Sequence, residues 1–195
     1  MTDSSVLTVA SVVDALLQRI SVGSVTDPAP SAAQREAIFS AALRAPDHGQ
    51  LRPWRFLLVE GEQRLLLGKR LAEVEEACYG PLTDAQRNKV AERPLRAPLL
   101  LLIVAKISQH AKVPELEQML STAAAVQNML IAAHAVGVGA MWRTGNVTYE
   151  PLLAEKLGLP ADERLLGFLY LGTPAGLPKA LPTLATADFF RAWLP

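Results

Sequence analysis

The run Ala97–Ala105, Ala-Pro-Leu-Leu-Leu-Leu-Ile-Val-Ala, carries no polar side chain. Successive side chains of a strand point to opposite faces, so a strand without alternation has to be covered on both sides. The run is too short to cross a bilayer as a helix. It therefore predicts an interior strand of a sheet with a layer packed on each face. A second apolar stretch of strand length, Leu165–Gly172, points the same way.

Around these strands the chain alternates helical and extended signals. Val12, Val13, Leu16, Leu17 and Ile20 recur at helical spacing and predict an amphipathic first helix that ends near Arg19-Ile20-Ser21. Ser31 followed by Gln34 is a capping-box start for a second helix, which runs out at Arg44-Ala45-Pro46 because Pro46 disfavours helical backbone at Ala45. The loop Asp47–Pro53 then leads to a strand over Trp54–Val59. Leu65 to Val74 reads as a helix, and Tyr79–Pro94 as a polar, irregular insertion of the kind that often lies over a site. Pro114, with Glu115 and Glu117 behind it, opens a long Ala-rich helix that closes at Gly137. Val138–Arg143 reads as a strand, and Thr148 as the cap of a short helix through Leu157 and Gly158. The tail from Pro174 ends in Phe189, Phe190 and Trp193, which either wrap a neighbouring subunit or pack on the chain's own core. Without a clean strand-helix-strand repeat, the pattern predicts an α+β fold, and its length predicts one domain over residues 1–195.

Several chemistries lack their residues. Gly137-Val-Gly139 is not followed by the third glycine of a dinucleotide fingerprint, no Walker lysine loop occurs, and no Gly-x-Ser-x-Gly elbow is present. Three scattered histidines and the single Cys78 offer no metal-ligand spacing, and one cysteine forms no intrachain disulfide, which fits a reducing compartment. Nineteen basic residues against nineteen acidic ones argue against a nucleic-acid or membrane partner. Met1–Ser5 carry no positive n-region followed by a long apolar stretch, so the expectation is a cytoplasmic protein. A mean hydropathy of +0.21 is high for a small soluble monomer and predicts that another copy covers part of the surface.

What remains is a set of cationic and hydrogen-bonding residues at element ends: Arg19 and Ser21, Arg44 and His48, Arg143 and Thr144. Guanidinium forks and hydroxyls suit a phosphate, although an arginine at a helix end is equally well explained by solvent and the terminal carbonyls.

The stretch Arg44-Ala-Pro-Asp-His-Gly-Gln-Leu-Arg-Pro-Trp-Arg-Phe resembles the second-helix exit of nitroreductases, with Arg52 where the family has glutamine. Arg19-Ile20-Ser21 matches two of three positions of the family's Arg-Arg-Ser. Gly137-Val-Gly-Ala-Met-Trp-Arg-Thr-Gly145, Leu165-Leu-Gly-Phe-Leu-Tyr-Leu-Gly-Thr-Pro174, Arg96-Ala-Pro and Lys112-Val-Pro follow in the family's order. The likeness runs from about Val12 to Pro174 and is nearest to the small YdjA-like subgroup.

This resemblance implies an α+β, nitroreductase-like fold: a mainly antiparallel central sheet flanked by helices, in an intertwined homodimer with FMN between the subunits. It implies FMN contacts from Arg19, Ile20, Ser21, Arg44, His48, Trp142, Arg143 and Thr144, with Gln50 as a further contact near the ring. Ala132, Ala133, His134, Ala135, Val136 and Gly137 match the subgroup's segment for the nicotinamide nucleotide, against the plainer reading of an apolar core helix. Larger members also place C-terminal basic residues on the phosphate; Lys179 is the nearest equivalent and is left unassigned. The implied activity is transfer of hydride from NAD(P)H through FMN to nitroaromatic, quinone or similar acceptors, with no catalytic side chain and no metal. The alternatives are a non-catalytic FMN-binding or sensing protein, or another flavin reductase on the same scaffold.

Overall fold

The apolar run does form an interior strand. In the computed structural model, which describes residues 9–176 and 179–193 with side chains from residue 12 onward, β3 (Leu99–Lys106) lies between β2 (Trp54–Glu60) and β5 (Glu163–Pro174). On the far side of β5 sit β4 (Gly139–Arg143) and the two-residue β1 (Val25–Thr26). Every pairing among the described residues is antiparallel.

The two faces of β3 explain its composition. Leu99, Leu101 and Ile103 pack with Ile38 and Ala42 of α2 (Ala32–Ala42) and with Ala125, Val126, Met129 and Ala133 of α5 (Glu115–Ala135). Leu100, Leu102 and Val104 pack on the other side with Leu67, Leu71 and Val74 of α3 (Gln63–Tyr79), Val90 of α4 (Asp84–Ala91) and Leu153 of α6 (Pro151–Lys156). Each fully buried leucine contributes about 1.5–3 kcal/mol relative to exposure, so both layers are needed to justify the run. β5 alternates likewise: Leu169 and Leu171 face the α2/α5 layer, Phe168 and Tyr170 the α3 layer.

Three local expectations change. The segment read as irregular contains α4, started by a second capping box in which Thr83 Oγ1 accepts from the Gln86 N–H and the Gln86 side chain returns to the Thr83 N–H. Thr148 caps no helix. It lies inside a 3₁₀ turn (Asn146–Tyr149), and α6 starts at Pro151, whose fixed φ and missing N–H suit the first helical position. The tail aromatics do not pack on this chain's own core, since Phe189, Phe190 and Trp193 are 67%, 78% and 87% exposed.

The apolar stripe of α1 (Val9–Gln18) is also uncovered, with Val12, Val13, Leu16 and Leu17 all about half exposed or more. No helix among the described residues is long and apolar enough to cross a membrane.

Candidate functional site

Two segments that are far apart in sequence meet at the β4 edge. Beyond α1 the chain runs alongside β4, and the Val22 N–H donates to the Ala140 carbonyl at 2.9 Å. One residue further on, Arg143 Nη2 donates to the Gly23 carbonyl at 2.8 Å. Arg19, Ile20 and Ser21 thus arrive beside the strand that carries Trp142, Arg143 and Thr144.

A β-bulge sets the direction of those side chains. β5 has an extra residue, Leu166, opposite β3 between Ile103 and Val104, and Gly167 next to it takes φ +129°. The Leu166 carbonyl, released from the ladder, accepts from Trp142 Nε1 at 3.1 Å. A side chain at Gly167 would meet Trp142 Nε1 at 2.6 Å and the Arg143 carbonyl at 2.7 Å. Trp142 therefore packs toward the α2/α5 layer, and Arg143 toward the α3 layer, where its guanidinium lies 5.3 Å from the Tyr170 ring centre.

Arg143 Nε is buried without a hydrogen-bond partner. Ile20 and Ser21 line a hollow of about 470 Å³ together with Lys179, the C-terminal basic residue left unassigned from the sequence. A larger cavity of about 630 Å³ opens on the α3 side of β4 and brings in Arg93 and Arg96, which the sequence reading did not single out. Both come from a 3₁₀ turn (Arg93–Arg96) whose position against β4 depends on the packing of α3 and α4. Arg96 stands in a motif quoted for the family likeness; nothing local marks it as a site residue. Burial pushes the Tyr170 phenol above its ordinary range, while the charges of Arg143, Arg96 and Arg93 pull it back. Tyr79, on the same cavity, is pushed up to about 12, chiefly by the 2.7 Å hydrogen bond it donates to Glu150 Oε1.

Arg44, His48 and Gln50 lie elsewhere. α2 ends at Ala42, short of the exit expected at Arg44-Ala45-Pro46, because the chain tightens there: the N–H groups of Leu43, Arg44 and Ala45 donate to the carbonyls of Ser40, Ala41 and Ala42. The Asp47 carboxylate accepts from the Leu51 and Arg52 N–H groups, closing a tight loop in which Gly49, Gln50 and Arg52 have positive φ. Arg44 and Gln50 share a hollow of about 580 Å³ with Arg52. His48 Nδ1 sits 2.7 Å from Glu117 Oε2 at the start of α5, so its partner is a carboxylate rather than backbone. Among the described residues, none of these three lines either of the two cavities at the β4 edge.

Ala132–Gly137 form the last turn of α5 and its exit. Ala133 is fully buried, the Val136 carbonyl accepts from Gln34 Nε2 at 2.9 Å, and Gly137 takes φ +74°. His134 is half-buried, while Ala135 and Gly137 reach the surface.

Comparison with known proteins gives consistent results. The profile of the Nitroreductase family matches residues 16–173. A protein of Escherichia coli (strain K12) named "Putative NAD(P)H nitroreductase YdjA" is 40% identical over 161 residues, covering 82% of this chain and 86% of that protein. Among solved structures, a nitroreductase-like family protein from Bacillus cereus superposes with a TM-score of 0.80 at 24% identity, covering 96% of this chain and 98% of that one. One from Desulfovibrio desulfuricans, described as a "putative nitroreductase in complex with FMN", gives a TM-score of 0.70 at 26% identity, covering 94% and 98%.

Proposed function

The chain belongs to the nitroreductase family, and on that premise we propose that it is an FMN-dependent oxidoreductase. It draws hydride from NAD(P)H and passes reducing equivalents to nitroaromatic, quinone or similar electrophilic acceptors. The observation that carries this reading is the junction at β4, where Arg143 fixes the exit of α1 and keeps a buried Nε free. The FMN bound to the Desulfovibrio relative supports the choice of cofactor.

The residues fit the group. A phosphate needs hydrogen-bond donors and positive charge, and the hollow beside Ser21 offers a hydroxyl, an ammonium from Lys179 and open loop backbone, with Arg19 just upstream. Among the described residues no carboxylate pairs with Arg19, Arg44 or Arg143, so their charge is available to a ligand.

FMN, when bound, supplies the two-electron exchange, and the protein binds it, orients it and sets its surroundings. Arg143 offers a fixed positive charge, and a guanidinium near the edge of the ring that gains negative charge favours the reduced form. Trp142, locked by its bond to the Leu166 carbonyl, gives the ring a flat neighbour without the entropy cost of a mobile side chain.

The site is completed by a second copy. The exposed stripe of α1 and the exposed tail aromatics are apolar surfaces that a homodimer covers. Arg44 and His48, remote from β4 in their own chain, then serve the flavin of the other subunit. NAD(P)H and the acceptor use one open cleft in turn, which gives ping-pong kinetics.

The test is an absorbance spectrum of the purified protein before and after anaerobic addition of NADH and of NADPH. A yellow protein bleached by either nucleotide supports the reading. A yellow protein that neither bleaches is a flavin-binding protein without this activity, and a colourless one that takes up no added FMN removes the cofactor. Arg19→Ala weakens FMN binding by about 1.5–3 kcal/mol, the range for a hydrogen bond to a charged group; an unchanged affinity takes Arg19 out of the site.

A further inference from the structure

We propose that the cavity between β4 and α3 is a binding site for flat, anionic electron acceptors, aromatic carboxylates in particular, with Arg96 and Arg143 taking the carboxylate. This rests on the flavin reading above, because Trp142, Arg143 and Thr144 form one wall of the cavity and are the residues assigned there to FMN.

The charge balance of the cavity is uneven. Arg93, Arg96 and Arg143 bring three guanidinium groups, and the only carboxylate among the lining residues is Glu75. Glu75 is already committed: its oxygens accept from Arg93 Nη1 at 2.6 Å and from Arg93 Nη2 at 3.2 Å. Among the described residues no carboxylate pairs with Arg96 or Arg143, so two positive charges are left for an incoming anion.

Two donors on the wall are also unsatisfied. Arg143 Nε and the Thr148 hydroxyl are buried with no hydrogen-bond partner, and Thr148 as a whole is only 4% exposed. Leaving a buried donor unpaired is costly, so a ligand bearing acceptor oxygens relieves a cost the fold already carries.

The other walls decide what the rest of the ligand looks like. Phe168 and Tyr170 line the cavity from the sheet, and the Arg143 guanidinium lies 5.3 Å from the Tyr170 ring centre. Planar guanidinium groups match a carboxylate two bonds at a time, and aromatic side chains stack on a flat body. At about 630 Å³ the space fits a small aromatic molecule. A bare inorganic ion would leave the aromatic walls unused.

The probe pair is 4-nitrobenzoate and its neutral isostere 4-nitrobenzamide. In each turnover the nitro group takes two electrons and two protons, a hydride equivalent from NAD(P)H and a proton from water; one N–O bond breaks and water leaves, giving the nitroso compound. The holoprotein should reduce the benzoate with a kcat/KM about tenfold or more above that of the benzamide, and calorimetry should show tighter binding of the benzoate. Arg96 is exposed at the cavity mouth, so Arg96→Gln should fold normally. It should erase most of the preference, lowering kcat/KM for the benzoate far more than for the benzamide while leaving FMN content unchanged, and Arg96→Lys should restore part of it.

Equal kcat/KM and equal binding for the two probes in the unmodified protein would overturn the proposal. So would loss of FMN in Arg96→Gln, which would make the cavity a flavin-phosphate site. A rise in KM for NADPH, without change for NADH or the benzoate, would overturn it in favour of the nucleotide's extra phosphate. If the protein proves unable to hold FMN or to be reduced, the functional reading fails separately, and calorimetric discrimination between the two probes still decides whether the cavity selects anions.

Discussion

Arg143 donates to the carbonyl of Gly23 at 2.8 Å, a bond that joins positions 120 residues apart and fixes the exit of the first helix to the edge of the sheet. The guanidinium does this with one nitrogen and lies 5.3 Å from the Tyr170 ring centre, while its Nε is buried without a hydrogen-bond partner. A lysine keeps the charge but cannot bridge a carbonyl and a ligand from a rigid fork. Arg143→Lys should therefore weaken FMN binding by about 1.5–3 kcal/mol, read as a roughly ten- to hundredfold rise in Kd by flavin fluorescence. An unchanged Kd would mean that Arg143 only pins the loop.

That junction also marks where sequence reasoning stops. The capping box at Ser31 and the buried strand of β3 are local signals, and each appears where the residues demand it, whereas α2 stops at Ala42, ahead of the exit that Pro46 suggests. α4 went unread although Thr83 and Gln86 repeat the Ser31/Gln34 pattern, because only Val90 of that helix is buried and no apolar period betrays it. Arg93, Arg96 and Lys179 were not assigned to the site. The place of Arg93 and Arg96 beside β4, and of Lys179 beside Ile20 and Ser21, follows from how distant elements pack, and no spacing along the chain encodes that.

Gly167 should be intolerant of a side chain. Its φ of +129° is strained for any L residue, and a Cβ there would lie 2.6 Å from Trp142 Nε1 and 2.7 Å from the Arg143 carbonyl. Neither neighbour can yield without breaking the Trp142–Leu166 bond or the β4 edge. Gly167→Ala should cost about 1–3 kcal/mol from overpacking, seen as a lower urea midpoint, and should lower flavin occupancy with it. A variant with full stability and full occupancy would show that the bulge does not position Trp142.

A different glycine tests packing away from the site. In an exposed helix, replacing glycine by alanine gains about 1 kcal/mol in propensity. Gly68, inside α3, faces α4 so closely that a Cβ would sit 1.9 Å from the Ala91 carbonyl oxygen. The clash involves backbone on both sides and outweighs the propensity gain. Gly68→Ala should thus lower Tm, and a raised Tm would mean that α4 moves aside freely.

Tyr79 ionises at about 12 rather than 10, principally because its hydroxyl donates to Glu150 and secondarily because burial and the Glu150 charge oppose a phenolate. A pKa raised in the folded state means that this contact stabilises fully below the ordinary tyrosine pKa of about 10 and is lost as pH climbs through about 12. Ultraviolet difference titration of Glu150→Gln should show one tyrosine ionising at lower pH than in the unmodified protein. Identical titrations would remove Glu150 as the cause.

The most exposed aromatic residues supply the test of assembly. Phe190 and Trp193 are 78% and 87% exposed, and Leu17 on the α1 stripe is 71% exposed, a cost that a lone subunit would carry without return. If a second copy covers them, Phe190→Ser with Trp193→Ser should shift the protein from dimer toward monomer in light scattering and reduce FMN retention, because Arg44 and His48 would no longer reach the other subunit's flavin. Exposed apolar side chains on a monomer would instead become polar, leaving stability and flavin content unaltered. A dimer that persists with unaltered flavin content would place the interface on other surfaces, and a monomeric parent protein would end the shared-site reading altogether.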